Sequence, residues 1–125
     1  MIYLVRHAKA GSRQDFPGDD VLRPLSKRGR QQADAIAERL RSADVSELVS
    51  SPYVRCMQTL QPLGNLTGLP VQADDRLAEG DDFSGALEML GRVPDRAVLC
   101  SHGDVIPAVI AALQRRGCDI RSAPE

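Results

Sequence analysis

The chain has two histidines, and each closes an apolar run. His7 ends Ile2-Tyr3-Leu4-Val5-Arg6-His7, and His102 follows Ala97-Val98-Leu99-Cys100-Ser101. An imidazole at the end of a buried strand packs poorly but is chemically useful: near neutral pH it serves as nucleophile, acid or base. Arg6 stands next to His7, and a guanidinium binds phosphate bidentately. The pairing suggests phosphoryl transfer.

Four segments must carry and position these residues. Apolar side chains recur at i, i+3, i+4, i+7 in Ala33, Ile36, Ala37 and Leu40, and again in Tyr53, Cys56, Met57 and Leu60. The same spacing appears in Phe83, Ala86, Leu87 and Leu90, and in Ile106, Val109, Ile110 and Leu113. Each set gives one stripe for a helix to lay on a core. Between them lie short strand candidates at Ile2–Val5, Leu48-Val49, Val71–Ala73 and Ala97–Cys100. Strands alternating with helices predict an α/β three-layer αβα sandwich with a mainly parallel central sheet. Ser26 is placed to cap the first helix, and Pro52 follows Ser50-Ser51 where a strand turns into a helix start. Pro62 should end or kink the second helix, and Gly117 should stop the last.

Residues 8–24 form a polar stretch with Gly11, Pro17, Gly18 and Pro24. Compact domains rarely hold so long a loop without a functional reason, so this one is a candidate rim for a site. In a parallel sheet, ligands gather beyond the carboxyl ends of the strands. His7, Ser51 with the helix start carrying Arg55, and His102 all fall at such ends, provided their strands are neighbours.

The 125 residues suit a single domain spanning residues 1–125. Sixteen basic and seventeen acidic side chains leave a net charge of −1, which argues against a general nucleic-acid or anionic-membrane binder. No Trp and only four Phe or Tyr argue against a base-stacking platform. No apolar run approaches the roughly 20 residues needed to span a bilayer, and no signal peptide is expected before the first strand. Cys56, Cys100 and Cys118 lack metal-site spacing and read as free thiols of a cytoplasmic protein. Two distant histidines and scattered thiols do not supply a metal site, so no metal or other cofactor is expected.

Five segments, in order, resemble the histidine phosphatase superfamily. They are Arg6-His7; Arg23-Pro24-Leu25-Ser26 with Gly29; Ser51-Pro52-Tyr53-Val54-Arg55-Cys56-Met57-Gln58-Thr59; Glu79 after Leu77-Ala78; and Ser101-His102-Gly103. The chain is most similar to the short branch that includes the phosphohistidine phosphatase SixA. It also resembles the phosphatase-like domain fused to Nudix hydrolases in some actinobacteria, through Gly11-Ser12 and Gly18-Asp19-Asp20. The resemblance implies a phosphoglycerate mutase-like fold, with His7 as nucleophile forming a phosphohistidine that water hydrolyses. It places Arg6, Arg55 and His102 around the transferring oxygens and Glu79 as proton donor to the leaving group. Asp15, Asp19, Asp20, Asp81 and Asp82 are alternative acids, and Ser12 is a further candidate for the phosphate pocket.

Lys9, Arg13, Arg23, Lys27, Arg28 and Arg30 make the amino-terminal quarter basic. They form either a solvated face or a grip on further phosphates. The substrate implied is a phosphohistidine protein, a small phosphoester or a nucleotide. A mutase would need longer insertions, and a non-catalytic phosphate-binding module would be expected to lack one of the four site residues. The branch usually adds a strand after the last helix, and Arg121-Ser122-Ala123-Pro124-Glu125 leaves no apolar run for it. The expectation is therefore a domain without its last carboxyl-terminal strand. Oligomeric state is not legible.

Overall fold

The computed structural model describes residues 1–80 and 83–117. Four strands, β1 (Tyr3–Arg6), β2 (Glu47–Ser50), β3 (Val71–Ala73) and β4 (Ala97–Ser101), form one sheet in the order β1-β4-β2-β3. Every pairing is parallel, with Leu4 opposite Leu99, Val49 opposite Leu99 and Leu48 opposite Val71. The central position of β4 explains its composition: all five of its residues are buried. A strand covered on both faces reads as a continuous hydrophobic run, without polar alternation.

The helices are α1 (Lys27–Leu40), α2 (Val54–Thr67), α3 (Ser84–Leu90) and α4 (Val105–Arg115). Side chains alternate across the sheet, so each strand feeds two cores. On one face Leu48, Val98 and Cys100 pack with Ala37 of α1 and with Cys56, Leu60 and Leu63 of α2. On the other, Val49 and Leu99 pack with Ala86 and Met89 of α3 and with Val105 and Val109 of α4. This is the expected three-layer α/β sandwich.

Local chemistry sets the helix ends. Ser26 Oγ accepts the Gly29 N–H at 3.0 Å, capping α1, and donates to the Lys9 carbonyl. Gly29 also lies against that carbonyl, where a Cβ would come within 1.9 Å of the oxygen. The capped end of α1 is thereby pinned to the base of the rim loop. Gly68, at φ 77°, closes α2 in the left-handed conformation, where a side chain would be strained.

Pro62 does not end α2, which continues to Thr67. The missing N–H costs about 3 kcal/mol in isolation. Leu60 and Leu63, both fully buried, flank the proline and anchor this stretch to the sheet. Burying two leucines is worth a comparable or larger amount, so packing overrides propensity. The helix also begins two residues after Pro52, with Tyr53 at the cap position.

Arg23 departs from the solvated basic face expected of the amino-terminal quarter. It is 8% exposed, donates through Nε to Asp20 Oδ1 at 2.8 Å, and reaches the Gly11 carbonyl. It is a buried tie within the rim loop. Among the described residues no helix is long and apolar enough to cross a membrane. The expected absence of a last strand concerns residues 118–125, which lie outside the described residues, as does Cys118.

Candidate phosphate-binding active site

Parallel strands end on one edge, and the site is built from the residues just past those ends. His7 continues β1 and donates its N–H to the Ser101 carbonyl at 3.0 Å. Ser51 continues β2 and donates to the Cys100 carbonyl at 2.9 Å. His102 comes directly after β4. These three residues, distant in sequence, are therefore set side by side by the backbone ladder.

The two imidazoles meet edge to face, with ring centroids 5.4 Å apart. His7 Nδ1 lies 2.8 Å from the Ala8 carbonyl, which can only accept, so Nδ1 carries the proton and Nε2 is left with its lone pair. Burial pushes the His7 pKa below the ordinary histidine value, and the nearby Arg55 and His102 push the same way against the Ala8 hydrogen bond. His7 is therefore neutral at pH 7 and keeps an unprotonated nitrogen.

Arg55 is 1% exposed, an unusual setting for a guanidinium. It sits in the first turn of α2 and stacks over the Tyr53 ring, 4.7 Å from its centroid. One amino group donates to Asp20 Oδ2 at 3.2 Å and to Glu79 Oε1 at 3.1 Å, and the other to the Asp20 carbonyl at 3.0 Å. Glu79 also brings Oε2 within 3.5 Å of His102 Nδ1. Its segment is held in place twice, by Ser101 Oγ donating to the Leu77 carbonyl and by Gly80 N–H donating to Asp104. Arg6 is exposed at the rim. Its guanidinium lies against Gly103, where a Cβ would come within 2.9 Å of it.

The structure thus gathers Arg6, His7, Arg55, His102 and Glu79 at the carboxyl edge of the sheet. Two buried nitrogens there, Arg55 Nε and His102 Nδ1, have no hydrogen-bond partner among the described residues. Buried polar atoms are nearly always paired, so such orphans mark a place built for a polar ligand. Cations and N–H donors around it select an oxyanion. Among the described residues, no three His, Cys, Asp or Glu side chains are grouped to hold a metal ion.

Ser12 is exposed on the rim loop, and its hydroxyl makes no hydrogen bond among the described residues. Asp15 is also exposed, and Asp19 caps the short turn Asp20–Leu22 by accepting the Val21 N–H. Asp20 alone of the rim acids reaches Arg55, and its carboxyl is held below the usual range chiefly by the Arg23 hydrogen bond. Asp81 and Asp82 lie outside the described residues.

Several supporting residues carry no obvious signal in sequence. Gln58 accepts from Leu25 N–H at 2.8 Å, and Thr59 accepts from Ala8 N–H at 2.9 Å while donating to the Arg55 carbonyl. These contacts lock α2, and so Arg55, to the loop after His7. Ser51 Oγ lies 2.8 Å from His102 Nε2, and the buried Cys56 sulfur lies 3.6 Å from the same nitrogen. Hydrogen bonding, first from Cys100 and then from His102, draws the Cys56 thiol below its ordinary range. Only the position of Ser51 and Cys56 within the motif around Arg55 hinted at these roles.

The sequence profile of the histidine phosphatase superfamily (branch 1) matches residues 2–93. The chain belongs to this superfamily. It is 38% identical over 116 residues to an 8-oxo-(d)GTP phosphatase of Mycolicibacterium smegmatis, an alignment covering 87% of this chain and 36% of that protein. The chain spans 36–40% of the length of the curated relatives it matches first. Its fold is that of the protein histidine phosphatase SixA, solved with tungstate, at a TM-score of 0.75 and 21% identity over 88% of this chain and 74% of that one. A mycobacterial glucosyl-3-phosphoglycerate phosphatase complexed with VO3 superposes at a TM-score of 0.69 and 27% identity, over 90% of this chain and 80% of that one.

Proposed function

We propose that this chain is a metal-independent phosphatase that works through a phosphohistidine intermediate on His7. The observation that carries the reading is a pair of buried nitrogens, Arg55 Nε and His102 Nδ1, without a hydrogen-bond partner among the described residues, beside a histidine held neutral. A phosphoryl oxygen is the kind of acceptor that such donors lack.

In the proposed reaction His7 Nε2 attacks phosphorus, and the bond from phosphorus to the leaving group breaks. Arg6 and Arg55 neutralise charge on the equatorial oxygens and His102 donates a hydrogen bond to them, which is most of what phosphoryl transfer requires. Glu79 gives a proton to the departing oxygen. Water then attacks the phosphohistidine, its proton returns to Glu79, and inorganic phosphate leaves. The domain proposed to do this spans residues 1–125.

The substrate class is a phosphohistidine protein or a small phosphoester, as for a SixA-like enzyme, because no large insertion among the described residues encloses the edge of the sheet. A second reading, nucleotide phosphatase, is favoured by the 38% identity to the 8-oxo-(d)GTP phosphatase. The test compares the parent with His7→Ala on an aryl phosphate, a nucleotide and a phosphohistidine protein, with EDTA present throughout. The parent should turn over and trap an acid-labile phosphoenzyme, while His7→Ala does neither. Turnover that survives His7→Ala, or that EDTA abolishes, ends the reading.

A further inference from the structure

Ser51 is fully buried just after β2, and its hydroxyl meets the Nε2 side of the His102 ring. Among the described residues its Oγ has two partners, the Tyr53 N–H at 3.3 Å and His102 Nε2 at 2.8 Å. The Tyr53 N–H can only donate, so it occupies an acceptor position on Oγ. The hydroxyl proton is then free to go to the imidazole nitrogen. If Nε2 accepts, a neutral ring must carry its proton on Nδ1. The other side of the ring agrees. Nδ1 lies 3.5 Å from the Glu79 carboxylate, which an N–H would attract and a lone pair would repel.

We propose that Ser51 is a positioning residue that holds His102 in the tautomer protonated on Nδ1. His102 then meets the transferring phosphoryl group as a neutral hydrogen-bond donor. The kinetic part of this proposal rests on the phosphatase reading above; the tautomer itself does not. A donor fixed before the substrate arrives needs no reorganisation as charge develops, which is where such groups gain their effect. An imidazole free to flip would offer the oxyanion a lone pair part of the time.

Among the described residues, the titratable groups facing His102 are Glu79 from the segment after β3, Cys56 from α2, Tyr53 at the cap of α2 and His7 just after β1. Cys56 is the rival for Nε2. As a thiolate it would draw a proton onto that nitrogen and reverse the tautomer. Its sulfur is more distant, at 3.6 Å against 2.8 Å for the serine oxygen, and the shorter contact gives Ser51 the first claim on Nε2.

The deciding measurement is 15N NMR of the labelled imidazoles near pH 7.5, on the parent and on Ser51→Ala. The parent should show His102 protonated on Nδ1 and bare on Nε2, and Ser51→Ala should lose that preference. In steady state with an aryl phosphate, Ser51→Ala should lower kcat about 10- to 100-fold, the range for residues that orient a working imidazole, with KM within about 2-fold. Ser51→Thr keeps the hydroxyl and should retain the parent tautomer and most of kcat. A proton on Nε2 in the parent overturns the proposal, as does an unchanged kcat in Ser51→Ala. Should Ser51→Ala fail to fold, the parent spectrum still decides. A parent that traps no phosphoenzyme sinks the phosphatase reading, and the spectrum then answers for the tautomer alone.

Discussion

Arg55 is the most buried cation at the site, yet two carboxylates already hold it. Asp20 and Glu79 lie 3.2 and 3.1 Å from the same amino group. A phosphate bound to Arg55 must approach both. Replacing Asp20 with Asn keeps the shape and an acceptor oxygen while removing one negative charge. Two unit charges about 4 Å apart interact by about 4 kcal/mol at an effective dielectric of about 20. The Asp20 side chain is 32% exposed, so water screens much of that. A repulsion of about 1–2 kcal/mol is the reasonable remainder. Asp20→Asn should therefore bind tungstate or inorganic phosphate about 5- to 30-fold more tightly than the parent. The cost is looser rim-loop packing, because Arg13 and Arg23 also lean on this carboxylate. Isothermal titration with tungstate at two ionic strengths measures the effect, which should shrink as salt rises. Unchanged or weaker binding at low salt would refute the argument. It would mean that Asp20 serves the anion by orienting the arginines more than it repels it.

The same geometry predicts three further outcomes. His7 must be neutral to attack, and its pKa lies below 6.5, so the acid limb of kcat/KM should have its midpoint below pH 6.5. A pH–rate profile with that midpoint at or above 6.5 contradicts the assignment. The same shift removes stability as pH falls through 6.5 towards the folded pKa, because the unfolded chain takes up a proton that the folded chain refuses. Two glycines should separate folding from function. Gly29→Ala drives a Cβ to 1.9 Å from the Lys9 carbonyl, a backbone atom that cannot swing aside. It should cost about 1–3 kcal/mol and lower Tm by several degrees. Gly103→Ala comes nearest to the flexible Arg6 guanidinium, at 2.9 Å, and should raise KM while Tm stays close to the parent. Equal Tm losses in the two variants would contradict this distinction.

The layers, the parallel strands and the convergence of the site are all legible in the order of residues. Apolar stripes at helical spacing and short β-branched runs specify which faces must be buried. Once the strands are parallel, residues just past β1, β2 and β4 must share an edge. His7, Arg55 and His102 can therefore be placed on one edge from the chain alone, and side by side only once β1, β4 and β2 are neighbours. Other features exist only in the folded molecule. The insertion of β4 between β1 and β2 depends on which strand gains most from burial on both faces. That is a comparison among segments, which no single segment records. The continuation of α2 through Pro62 depends on the sheet beneath Leu60 and Leu63, and the burial of Arg23 on the Gly11 carbonyl it reaches across the rim loop. The hold of Asp20 on Arg55 and of Ser51 on His102 joins residues 35 and 51 positions apart. Such bonds are set by angles and distances of a few ångströms, which residue type and spacing do not encode. Sequence chose the groups that meet a phosphate, and folding chose the hydrogen-bond partners that govern their charge and orientation.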